Sequence, residues 1–187
     1  MPYAAYHAVK PTSINFTGTS ASIVNDSSVT FSAVTSLSLN NIFTSAYKNY
    51  IILIRNTSSN SGIQTIYGTL RSSGVNDPQY FLSGSLDYSY QIIYANGTTV
   101  SRGGFNDWSW VFGYASNGTY EGRYITIYQP YLTTSTSYRC ITTEGYNANL
   151  YGTYNGTHDK PSSYDGITIT PTSGSITGLI STYGMVE

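Results

Sequence analysis

The run Tyr50-Ile51-Ile52-Leu53-Ile54 is the most apolar stretch of this chain, and it constrains the fold more than any other feature. Crossing a membrane takes about 20 apolar residues, so this run reads as a buried strand, for which its β-branched side chains are well suited. Upstream, Val29, Phe31 and Ala33 alternate with polar residues, and Leu37 and Leu39 continue the pattern. Between the two runs Asn40 and Asn41 are capping residues, and in the segment NIFTSAY the side chains of Ile42, Phe43, Ala46 and Tyr47 recur three to four apart. That spacing predicts a short helical turn. The stretch from Leu37 to Arg55 therefore predicts strand, helical turn and buried strand, the first corner of an all-β sandwich whose open end the turn plugs.

Composition points the same way. Charged residues are 9% of the 187, whereas tyrosine alone supplies 20, and Ser and Thr are frequent throughout. Aromatic and β-branched residues fit a pleated surface, and the scarcity of Glu, Lys and Ala works against helices. The length suits one sizeable core. The expected organisation is an extended N-terminal arm over residues 1–12 and a single β-sandwich domain over 13–187. A net charge of -1 supplies no basic field for nucleic acid. The first residues, MPYAAYHAVKPTS, have neither the basic start nor the apolar core of a cleaved leader, so synthesis in a cytosol, or export without a cleaved signal, is expected, without membrane insertion. The single Cys140 has no partner for an internal disulfide and reads as an inert strand residue.

Apolar-rich runs separated by Gly, Asn and Ser clusters predict about ten to twelve strands. They include Ile63 to Leu70, Tyr88 to Tyr94, the aromatic run Phe105 to Tyr114 (FNDWSWVFGY), Arg123 to Tyr131, Ser137 to Thr143 and Ser175 to Tyr183. A turn is expected at Asn25-Asp26-Ser27, and Asn96-Gly97 and Asn117-Gly118 are two-residue hairpin signals. The triplet N-G-T recurs at Asn96, Asn117 and Asn155 and reads as repeated turn chemistry, although it also matches a glycosylation sequon. The predicted class is an antiparallel, jelly-roll-like β-sandwich.

Groups that carry chemistry are few. His158 lies in GTHDKPSSYDG near Asp159, Lys160 and Asp165, which reads as a solvated turn, and Asp77, Asp87 and Asp107 read as turn formers and not as a calcium loop. No G-x-S-x-G elbow occurs, and Gly103-Gly104 lacks the spacing of a phosphate loop. No catalytic residue, metal or cofactor is expected. The aromatic residues are more informative. Trp108 and Trp110 lie two apart, on one face of a strand, with Tyr94 and Tyr114 as companions. Exposed, that face is a platform for sugar rings or another surface; buried, it is the heaviest part of the core. In the arm, Tyr3, Tyr6 and His7 are placed to pack on the domain itself, a neighbouring subunit or a larger assembly.

Three segments, PTSINFTGTSASI (Pro11 to Ile23), VTFSAVTSLSLNNIFTSAYKNYIILIR (Val29 to Arg55) and YDGITITPTSGSITGLISTYG (Tyr164 to Gly184), resemble small bacteriophage virion proteins, the tail-fibre or minor-tail β modules. The residues between about 56 and 160 match that family only in character. The resemblance implies a particle component without catalytic residues. The expectation is a non-enzymatic virion protein assembled in the host cytoplasm, a homotrimer that contacts other virion proteins and adheres to a host cell-surface glycan from a tail fibre or tail tip. The alternative is a capsid decoration protein whose arm and tyrosine surface clamp the major capsid protein.

Overall fold

The computed structural model describes residues 5–58, 63–77, 87–96, 99–118, 120–144 and 150–186. Among them are fourteen strands and no helix: β1 (Tyr6–Ala8), β2 (Ser13–Ile23), β3 (Ser28–Asn40), β4 (Asn49–Ser58), β5 (Gln64–Ser72), β6 (Val75–Asp77), β7 (Tyr88–Asn96), β8 (Thr99–Asp107), β9 (Trp110–Ala115), β10 (Glu121–Tyr128), β11 (Thr136–Glu144), β12 (Leu150–His158), β13 (Gly166–Pro171) and β14 (Ile176–Met185). They form one antiparallel sheet in the order β6-β5-β13-β3-β14-β4-β10-β11-β12-β7-β8, with β1 on β14, β2 on β3 and β9 on β5.

The sheet curls into two layers because β3 bends. Along one edge β3 pairs with β2 over nearly its whole length, and the Asn25 side chain closes their turn by accepting from Ser27 N at 2.9 Å. Its other edge divides. Residues from Val29 to Val34 pair with β14, while Leu37 to Leu39 pair with β13. At the division Ala33 adopts φ 48° and the β2 register slips between Thr17 and Gly18. Gly18 is required there, since its φ is 138° and a Cβ would come within 2.2 Å of Ala33 O. One layer contains β5, β13 and the far half of β3; the other is the wide layer β14-β4-β10-β11-β12-β7-β8.

Strand β9 extends the narrower layer beside β5 and turns its large side chains toward the wide layer. It pairs with β5, and its Trp110 and Phe112 are fully buried against the wide layer. Trp110 stacks on Tyr138 of β11 with ring centroids 4.6 Å apart, meets Tyr88 edge-on at 5.3 Å, and donates from Nε1 to Thr157 O at 3.1 Å. The carbonyls of β9 are met by side chains from the opposite layer. Tyr138 OH donates to Val111 O at 2.9 Å, Arg123 Nε to Phe112 O at 2.7 Å, and Arg123 Nη2 to Tyr114 O. Arg123 is itself buried and is matched by Glu121 Oε2 at 3.4 Å and by Asn56 Oδ1. The second carboxylate oxygen of Glu121 accepts from Ser116 N at 2.7 Å.

Several expectations need correction. NIFTSAY is not helical. Ile42 and Phe43 are both buried, Asn41 has φ 54°, and the backbone groups of the segment bond elsewhere: Phe43 N to Asp165 O at 3.1 Å and Thr44 N to Tyr50 OH at 2.7 Å. Tyr50 OH in turn donates to Thr44 O at 2.8 Å, so a side chain from the next strand closes the loop that a helical turn was expected to close. FNDWSWVFGY is not one strand, because the chain leaves β8 at Asp107, bends at Trp108-Ser109 and enters the other layer as β9. Asn117-Gly118 therefore joins two layers and is no hairpin; Asn117 bridges Ser58 in parallel. Asn155 lies inside β12, paired with Arg139 and Gln91. A hairpin does form after Asn96, which pairs with Thr99, although residues 97 and 98 lie outside the described ones.

The aromatic ring of Phe112 lies directly over the backbone of β5, where a Cβ at Gly68 would come within 2.0 Å of Phe112 Cε2. Gly68→Ala is expected to destabilise the fold by about 1–3 kcal/mol, with part of the loss recovered in the double variant with Phe112→Leu. Chemical denaturation of the two single variants and the double variant measures this coupling.

Candidate functional site

On the wide layer alternate residues face away from the core, and the register places them in rows across the strands. One row runs Thr126, Arg139, Asn155, Gln91 and Gly104; the neighbouring row includes Ser137, Thr157 and Ser89. Between these rows lies a groove of about 730 Å³, lined by Ser89, Gln91, Gly104, Ser137, Asn155 and Thr157 and floored by the backbone of Tyr90, Tyr138 and Gly156. Ser89 and Thr157 share a hydroxyl hydrogen bond of 2.8 Å across its wall. Two glycines shape it. Gly156 admits no side chain, since a Cβ would come within 1.9 Å of Ser89 O, and Gly104 leaves open space on the outer face. The depression continues past Gly103 to Ile93 and Arg102.

Beside the groove a third row crosses the same face: Leu53, Tyr124, Ile141, Thr153, Ile93 and Arg102. Ile93 is 57% exposed, Ile141 43%, Tyr124 42% and Leu53 38%. Tyr151 and Val100 add to this apolar face, and Arg55 lies over the ring of Tyr120 at 4.5 Å. Among the described residues, the charged side chains at outward positions of these strands are Arg55, Arg102 and Arg139. Glu121 of β10 points inward, and Asp77, Asp87, Asp159 and Asp165 gather at one end of the molecule.

The aromatic residues singled out from the sequence do not share a face. Trp110 is core, so it offers no ring to a ligand. Trp108, on the bend, is 37% exposed and packs against Tyr67 with centroids 5.0 Å apart. Tyr94 and Tyr114 are half-buried against the core, the latter 6.5 Å from Tyr154. The two-residue spacing of the tryptophans implied a common face only if both belonged to one strand. In the arm, β1 pairs with β14, Val9 is buried, and His7 Nδ1 lies 3.2 Å from Tyr47 OH. Tyr6 is exposed, and Tyr3 lies outside the described residues.

His158 is not in a solvated turn: it ends β12 and is fully buried. Its ring meets Tyr88 at 4.2 Å and Tyr164 at 5.2 Å, and Nδ1 lies 3.3 Å from Tyr164 OH. Tyr164 OH donates to Asp77 Oδ2 at 2.9 Å, and Lys160 Nζ binds both oxygens of Asp77 at 2.7 and 2.8 Å. Burial drives the Tyr164 hydroxyl far above its ordinary range, with Asp77 adding to the effect, and burial lowers His158 against the opposing pull of Asp77 and Asp87. The arrangement holds a neutral imidazole and an un-ionised phenol away from water, which suits anchoring the end of β12 and not proton transfer to a substrate. Among the described residues no three His, Cys, Asp or Glu side chains are grouped to hold a metal.

A scan against protein-family models, a search of curated proteins and a search of solved structures each find no match.

The sequence signal for the groove is glycines inside strands, at Gly103, Gly104 and Gly156, which mark close approach or missing side-chain volume. Two outcomes test the assignments. Trp110→Ala is expected to cost about 3–5 kcal/mol of stability, while Trp108→Ala leaves the denaturation midpoint nearly unchanged. Because burial lowers His158, the unfolded chain takes up its proton first as pH falls. Stability is therefore expected to be full above about pH 6.5 and to decline below it. His158→Phe should flatten that decline, as followed by denaturant midpoints between pH 7 and pH 5 at about half-unit steps.

Proposed function

We propose that this chain is a non-enzymatic structural module of a bacteriophage particle that adheres to a host-surface saccharide through the outer face of the wide layer. The observation that carries the reading is that face: an apolar and tyrosine-bearing row beside a neutral, hydroxyl- and amide-lined groove, displayed on a broad sheet. An exposed patch of that kind on a folded domain marks an interaction surface. We read the curled sheet as a jelly-roll-like sandwich. The segments that resemble phage virion modules lie together in it, since β2, β3, β4, β13 and β14 form adjacent ladders, and the groove is built by the strands between them in sequence. The frame and the adhesive face thus come from different parts of the chain.

Tail adhesion is favoured over capsid decoration because the described part of the arm is already engaged at home, with Val9 N donating to Thr182 O at 3.0 Å and Val186 N to Ala5 O at 3.1 Å. Particles purified from cells that carry this gene are expected to contain the chain in a few copies each, counted by quantitative mass spectrometry. Its absence from the particles would overturn the reading, and hundreds of copies would replace adhesion by decoration.

A further inference from the structure

We infer that the groove over β11, β12, β7 and β8 binds a carboxylated saccharide, with Arg139 and Arg102 meeting acidic groups on either side of a neutral centre. The inference deepens the adhesive reading and rests on it for its biological setting alone.

The centre of the groove is made of groups that suit a hydroxyl-rich ligand. The side chains of Asn155 and Gln91 each carry both a donor and an acceptor, and Ser137, Ser89 and Thr157 carry hydroxyls that turn to donate or accept. The groove is open to solvent along its length and, at about 730 Å³, has room for sugar rings laid along it. The open depression at Gly104 and Gly103 lets a flat ring approach the backbone, and Ile93, at its end, supplies apolar contact for the C–H face of a sugar.

The flanks are cationic. Arg139 is the cross-strand neighbour of Asn155, and its side chain is exposed. Arg102 lies two residues from Gly104, exposed on β8 and lining the continuation of the groove. Three strand spacings separate β11 from β8, about 14 Å in all, so one ring cannot reach both guanidinium groups and a chain of acidic sugars can. Guanidinium pairs with carboxylate through two parallel N–H donors, which makes the acid the part of the ligand that is recognised most sharply. The described carboxylates nearest in register along β7 and β12, Asp87 and Asp159, lie beyond Ser89 and Thr157, four residues from the Gln91 and Asn155 row that Arg139 continues. Gly104 also provides a clean way to close the groove. Its backbone is outside the left-handed region, and a Cβ there would meet only Gln91 Cγ at 3.5 Å and Tyr90 O at 3.7 Å, ordinary contacts.

The test uses the full chain in calorimetric titration against oligomers of polygalacturonate, alginate, hyaluronan and polysialate, each beside its carboxyl-reduced neutral form. At least one acidic oligomer is expected to bind, with its reduced form at least tenfold weaker. Arg139→Gln and Arg102→Gln are each expected to weaken binding three- to tenfold and to reduce its salt dependence. Gly104→Leu should weaken it at least tenfold while thermal unfolding shows an intact fold. The inference is overturned if no acidic oligomer binds, if the reduced form binds equally well, or if folded Gly104→Leu binds as wild type does. Should Gly104→Leu prove misfolded, unchanged binding by both arginine variants, which alter only exposed side chains, would overturn it as well. Failure here is separable from failure of the adhesive reading: a chain that binds acidic oligomers but is absent from particles removes that reading and leaves this site. Whole-cell binding that survives in Gly104→Leu removes this site and leaves adhesion elsewhere on the chain.

Discussion

The placement of β9 against the wide layer is the constraint on which the rest of the structure depends. A strand that pairs with β5 on one side and is enclosed by a second sheet must have its remaining polar groups satisfied without water. Here they are satisfied by side chains: Tyr138 and Arg123 reach across to three of its carbonyls. An unpaired buried guanidinium would cost several kcal/mol, so Arg123 needs Glu121, Asn56 and the β9 carbonyls together. Arg71 is a second buried guanidinium held within its own layer, where Nε donates to Asn40 Oδ1 at 3.1 Å and Nη1 to Ser38 Oγ at 3.0 Å and to Thr168 Oγ1 at 2.8 Å. The layers are thus keyed to a single arrangement by polar contacts that a one-residue slip of any participating strand would break.

Much of the frame was legible in the sequence because it follows simple alternation. Val29, Phe31, Leu37 and Leu39 do face inward from β3, and the apolar run at Tyr50 to Ile54 lies in β4, though Leu53 faces solvent. The failures share one cause. NIFTSAY has helical spacing, yet its buried side chains belong to a loop whose backbone is bonded by Tyr50 and by Asp165. FNDWSWVFGY reads as a single aromatic strand because the bend at Trp108-Ser109 carries no Gly or Pro to announce it. N-G-T at Asn155 has the chemistry of a turn and the position of a central strand, where Gly156 serves close packing against Ser89 and Tyr138 instead of a reversal. In each case tertiary contacts decided what local propensity left undetermined.

The candidate site was much less legible. Its lining comes from four strands whose order in the sheet, β11-β12-β7-β8, reverses part of their order in the chain, so no linear spacing brings Ser137, Asn155, Gln91 and Gly104 together. The tryptophans drew attention through their size, and size is what placed Trp110 in the core beside Tyr138 and Tyr88. His158 looked like a surface group because its neighbours Asp159 and Lys160 are polar; the aromatic rings that enclose it come from positions 88 and 164.

Charge distribution connects the frame to the face. The chain has 8 Lys and Arg and 9 Asp and Glu, and Arg71, Glu121 and Arg123 are used inside, which thins an already sparse charged surface. A surface near neutrality disfavours its own dispersal and favours association. Among the described residues β8 is the last strand of the wide layer, and an edge strand adds to that hazard. Arg102 and the glycines at 103 and 104 limit the hazard, one by charge and the others by weakening strand order at the edge. The same three residues shape one end of the groove. The residues that mark this sheet edge are therefore also those that form the open, cationic end of the groove, so edge protection and groove shape come from one local solution.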